Sequence, residues 1–184
     1  MKKTAILAIL IMLLSLASCG KTDSSSEGTD SSGPTSGIKT ISEFTTVDLD
    51  GNEVTQAVFA DAKITMINYW ATYCSPCIKE LPELQKISKK YEGDAQIIGV
   101  VIDTDFSKKD SVQYKNALKY LEWAEADYLN IELAGGLLDY AQTLEYVPTT
   151  IFVDSEGNII GDPVIGPMTD EYKQRIEEYL EQNA

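Results

Sequence analysis

Apolar positions change their spacing several times along this chain, and each change marks an element. The runs Ile64-Thr65-Met66-Ile67-Asn68-Tyr69-Trp70 and Ile97-Ile98-Gly99-Val100-Val101-Ile102 are nearly continuous in β-branched and aromatic residues. Such runs predict central strands buried on both faces. Between them Leu81, Leu84, Ile87 and Tyr91 keep helical spacing, while Lys79, Lys86, Lys89 and Lys90 fall where water can reach them, so an amphipathic helix is expected. Strand, helix, strand in that order predicts a right-handed crossover and parallel pairing.

A second helix is expected over residues 110–125, with Tyr114, Ala117, Leu118 and Leu121 on one stripe, and a short third over 136–144. Thr149-Thr150-Ile151-Phe152-Val153 and Asn158-Ile159-Ile160 then read as the arms of an antiparallel hairpin around Asp154-Ser155-Glu156-Gly157. Thr169 is placed to cap a last helix in which Tyr172, Ile176, Tyr179 and Leu180 face the sheet and Asp170 and Glu171 sit near the positive end. No internal repeat is found.

The beginning of the chain follows another pattern. Lys2 and Lys3 precede a short apolar stretch over residues 5–14, the layout of a secretory signal and too short for a comfortable membrane span. The stretch closes with Leu16-Ala17-Ser18-Cys19, which resembles the bacterial lipobox, where the leader is cut and the cysteine lipidated. The expected organisation is a signal peptide over 1–18, lipidated Cys19 with a disordered tether over 19–37, and one folded domain over 38–184. Residues 20–37 carry no large apolar side chain and cannot offset the entropy of ordering themselves. More than one acyl chain, at about 0.8 kcal/mol per buried CH₂, makes a lasting anchor. An ordinary cleaved signal or an uncleaved anchor are the alternatives.

Composition narrows the chemistry. A formal charge of −14 with no Lys/Arg cluster in the mature chain argues against nucleic acid and against attraction to anionic headgroups. The absence of histidine removes the commonest metal ligand and the usual general base, and with them most hydrolase mechanisms. Of three cysteines one is Cys19, so Cys74 and Cys77 stand as a close pair with no others left for a disulfide framework.

Trp70-Ala71-Thr72-Tyr73-Cys74-Ser75-Pro76-Cys77 leaves a strand and enters a helix, which puts Cys74 near unsatisfied N–H groups that favour thiolate. Two intervening residues let the sulfurs bond, and Pro76 stiffens the loop without removing a needed donor. The competing explanations are half of a zinc site, for which only carboxylates remain as further ligands, and a fixed disulfide, which would close too short a loop to stabilise much. Ile78 stands where haem attachment needs histidine. No metal or other cofactor is expected.

Three motifs in order, residues 70–77, Glu80-Leu81-Pro82 and Val147-Pro148-Thr149-Thr150, resemble the thioredoxin superfamily, and within it the membrane-anchored thiol-disulfide oxidoreductases of the TlpA/ResA type. The likeness covers roughly residues 38–184. It implies an α/β thioredoxin-like fold: a central mixed β-sheet flanked by helices, with an extra helical insertion before the cis-proline loop. It also implies that Cys74 attacks, that Cys77 resolves, that Trp70 and Pro76 support the active site, and that the bond before Pro148 is cis. Val147 would then offer its backbone to an extended substrate peptide; a trans proline opening an edge strand is the bland alternative.

Asn68 stands where cytoplasmic thioredoxin has a buried aspartate, and it cannot move a proton. Glu80, one helical turn past Cys77, is the better proton handler, unless it is simply a solvated surface glutamate. Tyr73 stands where many relatives carry a second tryptophan, and Ser75-Pro76 does not fix a redox potential on inspection. Pro82 should kink its helix.

The resemblance implies protein thiols and disulfides as partners, a bacterial membrane with the domain facing the extracytoplasmic side, and a membrane thiol carrier of the CcdA or DsbD type as electron donor. Clients in such families are haem-site thiols of immature c-type cytochromes, secreted methionine sulfoxide reductases or misoxidised surface proteins. A monomer is expected. The rivals are a peroxiredoxin-like peroxidase, for which residues 68–73 lack the proline expected before the attacking cysteine, and a redox-silent surface adaptor whose pair need not cycle.

Overall fold

In a computed structural model, residues 37–184 are described. A five-stranded mixed sheet in the order β5-β4-β3-β6-β7 forms the centre. β3 (Ile64–Trp70) pairs in parallel with β4 (Ala95–Val101), and β4 in parallel with β5 (Leu129–Glu132). β6 (Thr149–Asp154) runs antiparallel to β3, and β7 (Val164–Ile165) antiparallel to β6. β1 (Thr45–Val47) and β2 (Glu53–Thr55) make a separate antiparallel ribbon, followed by a 3-10 helix, Gln56–Asp61.

Alternation along β3 shows why its sequence is nearly all apolar. Ile64, Met66 and Trp70 face one core, with side chains of α1 (Ser75–Lys90), α2 (Val112–Trp123) and α4 (Thr169–Gln182). Ile67 and Tyr69 face the other, with Phe44, Phe59 and the Leu137 and Tyr140 of α3 (Gly135–Ala141). Each face has its own cover, so neither set of positions can be polar without a partner. Asn68, in the middle of this strand, has one, described below. Lys79, Lys86, Lys89 and Lys90 are exposed on α1, as the spacing predicted, and α1 continues through Pro82.

The differences from the sequence pattern are local. Leu118 is 42% exposed, so the buried stripe of α2 is Tyr114, Ala117 and Leu121. Ser111, whose hydroxyl accepts from the Tyr114 N–H at 3.1 Å, starts α2, a cap typically worth about 1 kcal/mol. Thr169 is the first residue of α4 rather than its cap; Met168 holds the capping position without a side-chain bond. Residues 158–160 return beside β6 through a single bridge, Val153 to Ile159, and the full antiparallel neighbour is β7.

The stretch between β4 and Pro148 holds α2, β5 and α3, so it widens the sheet by a parallel edge strand as well as adding helices. Asn130 of β5 locks this addition to the centre. Its Oδ1 accepts from Trp70 Nε1 at 3.1 Å, and its Nδ2 donates to the Tyr128 carbonyl at 3.0 Å. Glycine at 99 leaves the space for that amide: a Cβ there would run into the Asn130 side chain. Among the described residues no helix is long and apolar enough to cross a membrane. The expected signal peptide, Cys19 and nearly all of the tether lie outside the described residues.

Candidate active site

Trp70 ends β3 with its carbonyl still bonded to the Ile102 N–H, at 3.0 Å. Beyond it the chain turns sharply, and the Cys74 N–H donates to the Ala71 carbonyl at 3.1 Å. Asp103, just past β4, pins this turn. Its carboxylate accepts from the Thr72 N–H at 3.0 and 3.2 Å and from the Thr72 hydroxyl at 2.6 Å.

Cys74 is therefore delivered as the N-cap of α1, in extended backbone geometry, and its Sγ accepts from the Cys77 N–H at 3.2 Å. That amide is one of the orphan donors of a helix start, and the sulfur takes the place of the usual capping oxygen. Ser75 and Pro76 fill the first helical positions, where proline loses no needed donor. Cys74 and Cys77 are joined as a disulfide, with Cα atoms 5.3 Å apart. Cys74 retains 7% exposure and Cys77 none. An outside nucleophile or disulfide meets Cys74 first.

The Val147–Pro148 peptide bond is cis, not the trans start of an edge strand. The Val147 carbonyl oxygen lies 3.5 Å from Cys74 Sγ. While the disulfide is closed the sulfur has no proton, so this is a contact; a Cys74 thiol has a hydrogen-bond acceptor in place. Pro148 is itself tied down, its carbonyl accepting from the Gly166 N–H at 2.8 Å.

Glu80 is 3% exposed, which overturns the picture of a solvated surface glutamate. Asn68 Nδ2 donates to its Oε1 at 2.9 Å and to Thr150 Oγ1 at 3.0 Å. Glu80 Oε2 lies 3.3 Å from the Tyr172 hydroxyl. Burial pushes the Glu80 carboxyl up to about 7, against the opposing pull of the Asn68 and Tyr172 hydrogen bonds. A group that gains and loses a proton near neutrality thus sits one turn from the buried sulfur. Asn68 Oδ1 is buried without a hydrogen-bond partner among the described residues.

Tyr73, Tyr146 and Met168, each half or more exposed, come from the segments next to Cys74, Val147 and Gly166. Sequence reasoning singled out Trp70, Cys74, Pro76, Cys77, Glu80, Val147 and Pro148. It missed Asp103, Asn130 and Thr150 as partners and read Tyr172 only as a core residue. Asp103 alone left a signal, a polar residue directly after an apolar strand. Among the described residues no group of three or more cysteines and carboxylates is arranged to hold a metal ion.

Comparison with known proteins gives consistent matches. The family model described as Redoxin matches residues 35–174. The thiol-disulfide oxidoreductase ResA of Bacillus thuringiensis subsp. konkukian is 29% identical over 144 residues, 77% of this chain and 75% of that one. The thioredoxin domain of a thiol-disulfide oxidoreductase from Bacteroides vulgatus is 25% identical, with a TM-score of 0.59 over 76% of this chain and 94% of that one. A thioredoxin-family thiol:disulfide interchange protein from Chlorobium tepidum, at 20% identity, shares the fold with a TM-score of 0.61 over 77% and 96%.

Proposed function

This chain belongs to the Redoxin family and is a thiol-disulfide oxidoreductase, and we propose that it reduces protein disulfides outside the cytoplasm, with Cys74 as the attacking sulfur. The observation that carries the reading is Cys74 at the mouth of α1, accepting the Cys77 N–H and lying against the Val147 carbonyl. The orphan amide and the positive helix end both favour the thiolate there.

The reduced pair acts in two displacements. Cys74 thiolate attacks one sulfur of the substrate disulfide, that S–S bond breaks, and the departing thiolate takes a proton from water. Cys77 then gives its proton to the Glu80 carboxylate and attacks Cys74 Sγ, which closes the Cys74–Cys77 disulfide and expels the second substrate sulfur. Two electrons pass from the pair to the substrate. A substrate segment lies extended along Val147 and Pro148 and presents its disulfide to Cys74. The pair is restored by an external dithiol, which we assign to a membrane thiol carrier of the CcdA or DsbD type. Run backwards, the same steps oxidise a dithiol.

The reduction potential of the Cys74/Cys77 couple tests the direction. A value near that of thioredoxin, about −270 mV, is expected; one near about −120 mV makes the protein an oxidant and overturns the reading.

The attachment is proposed from Leu16-Ala17-Ser18-Cys19 and the polar stretch behind it. Cys19→Ala is expected to lose acyl labelling and to leave the membrane fraction on cell lysis. Unchanged labelling removes the lipid anchor from the account.

A further inference from the structure

Tyr172 lies between Glu80 and the turn that follows β7, and its hydroxyl has a single proton to give. That hydroxyl is 2.7 Å from the Gly166 carbonyl oxygen and 3.3 Å from Glu80 Oε2. A carbonyl can only accept, so at the shorter distance the proton points to Gly166. What Tyr172 then shows Glu80 is a lone pair. A protonated Glu80 fits this arrangement, donating from Oε2 to the Tyr172 oxygen while Oε1 accepts from Asn68 Nδ2. A carboxylate does not fit it, because two acceptors would face each other in a buried site.

When Glu80 ionises, the hydroxyl can rotate its proton onto Oε2, which gives the carboxylate a second donor beside Asn68. The carbonyl it leaves is not orphaned, since Gly166 O also accepts from the Met168 N–H at 2.9 Å. One of the two donors on Gly166 O is thus replaceable. Gly166 is also bonded through its own N–H to the Pro148 carbonyl, and Met168, two residues on, is half exposed.

We propose that Tyr172 is a positioning residue that transmits the protonation state of Glu80 to the Gly166–Met168 turn beside Pro148. The acid form of Glu80 holds that turn through Tyr172, and the carboxylate releases it. In a reductive turnover, Glu80 is a carboxylate while the dithiol waits for substrate and becomes the acid when Cys77 gives up its proton. The turn at the substrate face is therefore looser before capture and firmer as product leaves.

The groups bonded to Glu80 are Asn68 from β3 and Tyr172 from α4; Thr150 of β6 bonds to both of these partners, Cys77 lies one turn earlier on the same helix, and the buried Tyr128 hydroxyl feels the Glu80 charge. Among the described residues no basic side chain bonds to it. Glu80 is the group among these that ionises near neutrality while the disulfide is closed.

The inference rests on the proton-handling role given to Glu80 above, and its test separates the two. In isotope-labelled oxidised full-length protein, the side-chain carboxyl carbon of Glu80 and the backbone carbonyl carbon of Gly166 are followed by NMR through the Glu80 titration. Both signals are expected to move with one midpoint. In Tyr172→Phe, which keeps the ring, the Glu80 signal is expected to titrate while Gly166 stays flat; in Glu80→Gln, Gly166 is flat as well. A Glu80 that titrates in the parent with Gly166 unmoved overturns the coupling and leaves the proton-handling role standing. A Glu80 that does not titrate overturns both. A Gly166 signal that still titrates in Glu80→Gln overturns the coupling even if Tyr172→Phe fails to fold, because the pH response then has another source.

Discussion

Cys77→Ala is expected to stop turnover and to accumulate a mixed disulfide between Cys74 and the client, approaching one per protein molecule when substrate is in excess. The first displacement needs only Cys74, which keeps its place at the mouth of α1 and the small exposure through which a partner sulfur can approach. The second needs a thiol within bonding distance of Cys74, and the described residues offer only Cys77, now bonded to it. Cys77 is fully buried, so a large substrate reaches it only through Cys74. Cys74→Ala is accordingly expected to trap almost nothing while also losing turnover. Non-reducing electrophoresis followed by mass spectrometry of the trapped species measures both effects and names the client. Equal trapping by the two variants overturns this division of roles.

The second large effect concerns stability and its dependence on pH. Glu80 holds its proton up to about 7 in the folded protein because burial penalises the charged form, whereas an unfolded chain releases it near 4.5. Between those values the folded state binds the extra proton, so this group's contribution to stability is full below the unfolded value, falls as pH rises, and levels off above about 7. The shift corresponds to about 3 kcal/mol. Glu80→Gln removes this slope. The amide can still accept from Asn68 through its oxygen and donate to Tyr172 through its nitrogen, so it imitates the acid form without ever ionising.

The variant is therefore expected to match the parent at low pH and to exceed it by about 3 kcal/mol above neutrality in urea denaturation of the oxidised protein. The same variant should exchange thiols more slowly, because Cys77 loses the group that takes its proton; a stabilising change at a working site commonly costs activity. A stability difference of the same size at both ends of the pH range shows that the substitution acts through packing, and that burial does not raise the Glu80 carboxyl as stated.

Most of the central sheet was legible because its signal is local. β3, β4 and β6 are short runs rich in β-branched and aromatic residues, the composition that favours a buried strand over a buried helix, and the lysines of α1 mark its wet side over successive turns. The elements that escaped notice are short. β5 has polar Asn130 and Glu132 alternating with apolar residues, and β7 spans only Val164–Ile165 next to a proline. Their pairing comes from neighbours already in place. Asn158-Ile159-Ile160 looked the better partner for β6 because a glycine turn stands directly before it. It does return beside β6, through the Val153 to Ile159 bridge, but the Thr40 to Asn158 bridge and the bond from the Ile159 N–H to the Lys39 carbonyl show that an earlier segment takes up its other side.

By itself the sequence determined the α/β class of the fold, that a cysteine pair opens a helix at the end of a buried strand, and that a proline follows far along the chain where a strand begins. These are facts of spacing, and spacing survives in one dimension. The tertiary structure alone decided what surrounds the pair. Spacing puts Glu80 on the helix face of Cys77, but it becomes a near-neutral acid only because the fold buries it, against the opposing hydrogen bonds from Asn68 of β3 and Tyr172 of α4. Trp70 is held by an amide sixty residues away in sequence, and Val147 meets Cys74 across seventy-three. Burial and hydrogen bonding depend on which segments meet, and a proton affinity follows from both. That information is absent from any single stretch of sequence until the chain has folded.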